Sequence, residues 1–330
     1  MKETLLCCRI TAQEKGLYRL CHDGVEQAAQ VSGKFQYEAL GPSDYPTVGD
    51  EVLADLNGGG QAVIHKVLPR KSLFLRKAAG TAREEQPVAA NVDILFLCMA
   101  LNNDFNLRWL ERYLAAAWNS GATPVVVLTK ADLCGNPSEK VAAVEEAAPG
   151  TDVLLTSAAQ EDGIRPLLPY LTPGRTVAFV GSSGVGKSTL MNGLLGKEIL
   201  ATGGLRNDDR GRHTTTRRQM FFLPGGAALI DTPGMRELGL WDSESGLETA
   251  FADIEALARQ CRFQDCRHEK EPGCAVRAAL ASGELSEERF RSWQRLSAEN
   301  RYADDRAAHM SAKEKKFRMI AQFNKSNSKR

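Results

Sequence analysis

Short apolar stretches separated by turn signals open the chain. Apolar residues alternate or run briefly through Leu5–Ile10, Phe35–Leu40, Glu51–Leu56 and Ala62–Val67. Asp23-Gly24, Gly41-Pro42, Val48-Gly49-Asp50 and the triple glycine Gly58–Gly60 punctuate them. Short strands at this spacing predict a small barrel over residues 1–70. The pattern then changes. Asn91–Ala100 is a continuous apolar strand, and Asn106–Asn119 has helical periodicity. Pro124–Thr129, Asp152–Thr156 and Thr176–Val180 read as further strands, with helices over Ser138–Ala148, Gly163–Leu171 and Lys187–Leu195. Met220–Leu223 and Ala227–Ile230 form a hairpin across Gly225-Gly226. Strands alternating with helices predict a mainly parallel sheet with helices on both faces over 71–240. Residues 241–330 are helical and charged, with periodicity in Thr249–Gln260 and Ser286–Asn300. The fold class expected is therefore multidomain α/β.

Composition narrows this little. The chain has 330 residues, 43% hydrophobic and 25% charged, ordinary for a globular protein. Net charge is +1, so a nucleic-acid partner would have to be held by local patches. One such patch is Arg306–Arg330, with eight Lys or Arg and one acid. No apolar run approaches the roughly 18 residues that span a bilayer. The apolar stretch in MKETLLCCRI is too short for a signal peptide. A cytoplasmic protein with no membrane partner is expected, and its eight cysteines then favour metal ligands or core thiols over disulfides.

The strongest motif is Gly181-Ser182-Ser183-Gly184-Val185-Gly186-Lys187-Ser188, which fits GxxxxGK[ST] and is followed by Thr189. It follows a predicted strand and opens a predicted helix, the context in which backbone N–H groups and a helix N-terminus cradle phosphates. Lys187 would reach the β- and γ-phosphates, and Ser188 would ligate Mg²⁺. Asp231-Thr232-Pro233-Gly234 closes the last strand, 44 residues after Lys187. Asp231 can hold the Mg²⁺ through water, and the Gly234 N–H can meet the γ-phosphate. Between them lies Arg210–Arg218, whose Thr215, or else Thr214, can complete the Mg²⁺ shell when γ-phosphate is present.

Thr129-Lys130-Ala131-Asp132 supplies a carboxylate that can accept from N1–H and the N2 amine of guanine, with the Lys130 stem over the base. Thr129 replaces the commoner Asn of NKxD, so a weaker tie to the phosphate loop is expected. In Thr156-Ser157-Ala158, a backbone N–H can reach guanine O6. These base motifs precede the phosphate loop, the reverse of the ordinary order, and so predict a circularly permuted GTPase domain. Finally, Cys261-x4-Cys266-x-His268-x5-Cys274 offers three thiolates and an imidazole, with Glu271-Pro272-Gly273 providing the turn before Cys274. Such a set suits one structural Zn²⁺; free thiols beside a surface His are the other reading. The remaining cysteines lack such grouping, and Cys98 reads as core.

The permuted order, the loop GSSGVGKST, the segment GRHTTT, DTPG and the knuckle together resemble the RsgA (YjeQ-like) family. Val88-Ala-Ala-Asn-Val-Asp93 and Val48-Gly49-Asp50 also look like that family. The resemblance implies an N-terminal OB-fold, a permuted GTPase domain and a C-terminal zinc-binding domain. It further implies late maturation of the small ribosomal subunit, with hydrolysis of GTP to GDP stimulated by that subunit and its rRNA as partner. GTP binding then falls on Thr129–Asp132 and Gly181–Thr189, and zinc on Cys261, Cys266, His268 and Cys274. The chain is expected to act as a monomer. Met235 stands where many GTPases carry a water-orienting Gln, so slow intrinsic turnover is expected. His213 is the candidate for that task, with Arg212 as an alternative source of transition-state charge. Two other classes remain at this point: a nucleotide-gated RNA-binding module with incidental hydrolysis, and a P-loop kinase or ATPase.

Overall fold

The structure is a computed structural model, and it describes residues 5–14, 16–56, 60–77, 85–102, 104–160, 162–200, 218–232 and 244–298. Strands β1 (Leu6–Glu14), β2 (Leu17–His22), β3 (Val25–Val31), β4 (Glu51–Asp55) and β5 (Ala62–Val67) follow the order β1-β2-β3-β5-β4, and β4 returns to β1. The result is a closed five-stranded barrel. Alternation turns Cys8, Ile10, Leu20, Ala29, Val52 and Ile64 into its core. Strands β2 and β3 were not separated by the hydrophobic pattern. Asp23 and Gly24 join them at φ +49° and +79°, the conformation of a two-residue hairpin turn.

The strand expected over Phe35–Leu40 is instead a helix, α1 (Gly33–Glu38). Ser32 is its N-cap, with a hydroxyl that accepts from the Phe35 N–H at 3.1 Å. Phe35 packs on the barrel core while Tyr37 faces solvent, so the apolar run does not reflect a two-sided strand.

A hairpin, β6 (Leu73–Lys77) with β7 (Glu85–Ala90), forms a sheet of its own. Then come β8 (Ile94–Ala100), α2 (Leu107–Ser120), β9 (Thr123–Thr129), α3 (Pro137–Ala147) and β10 (Val153–Leu155). They are followed by β11 (Thr176–Val180), α4 (Lys187–Leu195), β12 (Arg218–Phe222) and β13 (Ala228–Asp231). Strand order is β10-β9-β8-β11-β13-β12, parallel except for the β12–β13 hairpin. Every residue of β8 and β11 is buried, which is why both read as unbroken apolar runs. The helix expected over Gly163–Leu171 is a 3-10 turn, Arg165–Tyr170, because Pro166 and Pro169 remove the N–H groups an α-helix needs.

Strand β1 is long enough to serve two sheets. Residues Leu6–Arg9 pair with β4, and beyond an irregularity between Ile10 and Ala12, Ala12 and Gln13 pair with Gln219 and Arg218 of β12. Barrel and parallel sheet thereby share 11 hydrogen-bonded strands. A second joint brings together Val48-Gly49-Asp50 and Val88–Asp93. The Ala90 N–H donates to the Val48 carbonyl at 2.9 Å, and the Asn91 amide donates to the Gly49 carbonyl at 3.0 Å. A Cβ on Gly49 would collide with the Ala90 carbonyl oxygen, so only glycine fits there. Asp50, fully buried, is met by both arms of Arg70 at 2.8 and 2.7 Å.

The chain divides into two compact units, residues 1–239 and 240–330. The second contains α5 (Glu244–Ala250), α6 (Ala252–Ala258), α7 (Ala275–Ser282) and a helical run over 287–298, with the Cys/His segment between α6 and α7. The single helix expected over Thr249–Gln260 breaks at Phe251, whose backbone leaves the helical region at ψ +38°. Arg289 fills the break. It donates to the Ala250 carbonyl at 3.1 Å, pairs with Asp253 at 2.6 and 2.7 Å, and lies over the Phe251 ring.

Candidate functional site

The loop 181–186 joins the buried end of β11 to α4, as its motif requires. Gly181 runs so close to β8 that a Cβ would strike the Cys98 carbonyl. Gly186 caps α4 at φ +103°, a conformation L residues rarely take. Ser183, Gly184 and Thr189 are exposed at the mouth, while Ser182, Lys187 and Ser188 are half-buried and Val185 is buried. The Lys187 ammonium donates to the carbonyls of Gly181 and Ser182 at 2.8 and 2.7 Å. Burial lowers its pKa, opposed by Cys98 and Asp231 nearby. Asp231 ends β13 opposite Phe179 of β11, which sets it beside the loop. Burial raises its pKa, against the pull of Lys187 and the Thr232 N–H. Two oppositely charged groups thus share a partly buried floor, each made costly to ionise by burial and each relieved by the other. Thr232 ties this corner down through its hydroxyl, which donates to the Phe179 carbonyl at 2.5 Å.

Beside the loop, β9 delivers Thr129. Its hydroxyl donates to the Val185 carbonyl at 2.5 Å. The threonine at the Asn position still reaches the loop directly, through this one hydroxyl. Lys130 then takes a left-handed conformation, φ +58°, which ends the strand and starts the short 3-10 turn Ala131–Leu133. The Ala131 N–H is held by the Thr156 carbonyl at 3.1 Å. Asp132 is exposed, and one carboxylate oxygen accepts from the Ser157 hydroxyl at 2.5 Å. The Ser157 N–H is itself bonded to the Gly163 carbonyl at 3.0 Å, and Ala158 lies open beside it. The adjacent carboxyl ends of β9, β8, β11 and β13 thus gather a lysine, two carboxylates and a cradle of N–H groups. Arg212, His213, Thr214, Thr215, Gly234 and Met235 lie outside the described residues, as does the tail Arg306–Arg330.

In the second unit, one donor atom each from Cys261, Cys266, His268 and Cys274 lies within 4.8 Å of the others. Thiolate and imidazole donors about 2.3 and ~2.05 Å from a tetrahedral ion stand roughly 3.6–3.8 Å apart. Cys261 Sγ is 3.8 Å from Cys274 Sγ and 3.6 Å from His268 Nδ1, which is 3.4 Å from Cys274 Sγ. The donor set and its spacing fit a structural metal. The shifts at the donors run in different directions: burial pushes the Cys266 thiol up to about 11, while Cys261 and His268 are lowered. Burial would push the Cys261 thiol up, but the N–H groups of Val276 and Ala275 at the start of α7 outweigh it, and the pKa falls. Burial lowers the pKa of His268, against the pull of Glu271 and Glu255, and so favours the neutral ring that ligates metals. Trp293 lies against that ring, 5.6 Å between centroids. Among the described residues no other group of His, Cys, Asp or Glu converges in this way. Cys98 is buried beneath the loop with its thiol pushed up to about 12 by burial, as a core thiol would be.

A phosphate loop between β11 and α4, an acid at the end of the neighbouring β13, and base-type motifs placed earlier in the chain define a circularly permuted P-loop GTPase. A family model described as RsgA GTPase matches residues 67–241. A model described as ABC transporter matches 167–329, a span that includes the phosphate loop. The chain belongs to the RsgA GTPase family. It is 50% identical over 295 residues to the "Small ribosomal subunit biogenesis GTPase RsgA 2" of Lactiplantibacillus plantarum, covering 89% of this chain and 83% of that one. A relative from Methanosarcina acetivorans, "Small ribosomal subunit biogenesis GTPase RsgA", is 45% identical over 93% of this chain and 82% of its own. Among solved structures, YjeQ from Thermotoga maritima superposes with TM-score 0.66 at 27% identity, covering 89% of this chain and 97% of that one. YloQ, described as a circularly permuted GTPase, shares the fold with TM-score 0.63 at 23% identity, covering 92% of this chain and 96% of its own.

Proposed function

We propose that this GTPase binds the small ribosomal subunit and assists its late maturation, hydrolysing GTP to GDP and phosphate with stimulation by the subunit. The observation that carries the nucleotide part is the pairing of Asp132 with Ser157 beside a phosphate loop tied to the same strand by Thr129. With one carboxylate oxygen steadied by Ser157, the Asp132 side chain is set to accept from N1–H and N2–H of guanine, donors that adenine does not present together. The Lys130 stem would cover the base, with Ala131, Ser157 and Ala158 lining its edge. The kinase or ATPase reading loses ground to that arrangement. The partner is supported by the relatives' names, which specify small ribosomal subunit biogenesis.

In hydrolysis, the N–H groups of Gly181–Gly186 would hold the phosphates. Lys187 would exchange two loop carbonyls for the β- and γ-phosphate oxygens. Ser188 and Thr215 would hold Mg²⁺, with Asp231 reaching it through water, and Thr189 would line the nucleotide site beside them. That ion neutralises charge on the β- and γ-phosphates when bound. The Gly234 N–H would meet the γ-phosphate. Water would then attack the γ-phosphorus as its bond to the β,γ-bridging oxygen breaks, GDP leaving with that oxygen and the water's proton passing to the phosphate released. His213 would orient that water, and Arg212 is the alternative source of charge. Cys261, Cys266, His268 and Cys274 would hold one structural Zn²⁺. The barrel offers the oligonucleotide-binding architecture of OB-folds, and the basic tail adds salt-dependent contacts to rRNA. We place the protein in the cytoplasm with the ribosomes, acting as a monomer.

Co-sedimentation with purified ribosomal subunits tests the partner. The chain loaded with a non-hydrolysable GTP analogue should pellet with small subunits and be released by GDP. Equal pelleting with large subunits, or none with either, would overturn the proposal.

A further inference from the structure

The loop between His268 and Cys274 is shaped by a residue that is not one of the four donors. His268 has a left-handed backbone, φ +60°, unusual for a residue with a Cβ. Successive N–H groups around such a residue turn toward one side and form a concavity that suits an anion. Glu271 provides the anion from within the chain. Its Oε1 accepts from the Arg267 N–H at 3.0 Å, and its Oε2 accepts from the N–H groups of Glu269 and Lys270 at 2.9 Å each. The bonded N–H groups of Arg267 and Glu269 therefore flank His268 on both sides. At the far end of the loop, the Arg262 N–H donates to the Gly273 carbonyl at 3.1 Å. Glu271 stands outside the four-donor group, so its oxygens are committed to backbone and not to a metal. Hydrogen bonds from its own N–H and from that of Arg267 hold its carboxyl down at about 2.

We propose that Glu271 is a positioning residue of the metal centre: its carboxylate fixes the backbone on either side of His268, so that Nδ1 faces the three sulfurs before a metal binds. Partners that orient ligands in this way typically change metal affinity by roughly 10- to 100-fold when removed. The inference rests on reading the Cys3His cluster as a metal site. The experiment separates the two by beginning with the wild-type chain.

Full-length wild-type protein should carry one zinc per chain by elemental analysis; absence of zinc would overturn the metal reading and this inference with it. Competition with a chromophoric chelator then gives zinc affinity. Glu271→Ala should weaken it about 10- to 100-fold, and Glu271→Gln, which keeps the size but only one acceptor oxygen, should fall between. Glu269→Gln, a change at an exposed neighbour, should bind as wild type. Cobalt-substituted protein reports the ligands themselves. Its visible absorption bands in Glu271→Ala should move toward those of His268→Ala, a change that lowered stability alone would not produce. If Glu271→Ala does not fold, Glu271→Gln carries the test. Wild-type zinc affinity with an unchanged cobalt spectrum in the Glu271 variants would refute the role, whatever their melting temperatures.

Discussion

Thr129 gives a direct test of how base strand and phosphate loop are coupled. The residue is 2% exposed, and its hydroxyl is the group that joins β9 to the Val185 carbonyl. Valine has the same shape but cannot donate. Thr129→Val therefore leaves a carbonyl in a buried corner without this partner, at a cost of about 1–3 kcal/mol. At ~1.4 kcal/mol per tenfold, that corresponds to roughly 5- to 150-fold in an equilibrium constant. The loss should appear in nucleotide affinity, because the loop needs the tie to keep its N–H groups aimed at phosphate. It should fall equally on GTP and GDP, since both occupy the loop and the base site. Turnover at saturating GTP should be kept. Titration with fluorescently labelled GDP and GTP measures both affinities, with Thr129→Asn as the variant that retains a donor. Wild-type affinity in Thr129→Val, or a loss confined to one nucleotide, would refute the coupling.

Other perturbations probe other parts. Arg70→Met strands Asp50, fully buried, without its bidentate partner and should cost about 3–5 kcal/mol. Pairing it with Asp50→Asn should recover part of that in urea melts, and equal stability of single and double variants would contradict the pairing. Asp132→Asn should weaken GTP by roughly 10- to 150-fold, the value of hydrogen bonds to a charged group, while improving binding of xanthosine triphosphate. Isothermal titration calorimetry reads both. Stripping the proposed zinc with a chelator should remove the helical circular dichroism of the second unit and change Trp293 emission, because Trp293 packs on His268. GTP binding should survive that treatment. His213→Ala should abolish subunit-stimulated turnover; full stimulated turnover in a phosphate-release assay would remove His213 from the mechanism.

Much of the parallel sheet was legible because burial and sequence pattern coincide there. The strand Thr176–Val180 and the helix Lys187–Leu195 fall where the apolar run and the phosphate motif put them. The barrel was harder. Its strands are half-exposed, so Leu17–His22 and Val25–Val31 carry polar residues and offer only the Asp23-Gly24 turn as a signal. The segment after Ser32 mixes Phe35 and Tyr37 in a way that resembles alternation, and the capping hydroxyl decides for helix. The kink at Phe251 depends on Arg289, 38 residues further on, and no local pattern foretells it. At the site, motif spacing put Asp132, Lys187 and Asp231 at the carboxyl-end side of β9, β11 and β13 of one sheet. It could not show that the Thr129 hydroxyl spans to Val185, because that bond closes across 56 residues. The pairing of β1 with β12 was equally hidden, since a nine-residue strand does not announce that it serves two sheets.

GTP hydrolysis by the purified chain, measured alone, with small ribosomal subunits and with large ones at moderate salt, tests the central claim most directly. Slow turnover alone and strong stimulation by small subunits only is the predicted result. Tight GTP binding with no stimulation by small subunits would contradict it and point to a different RNA partner.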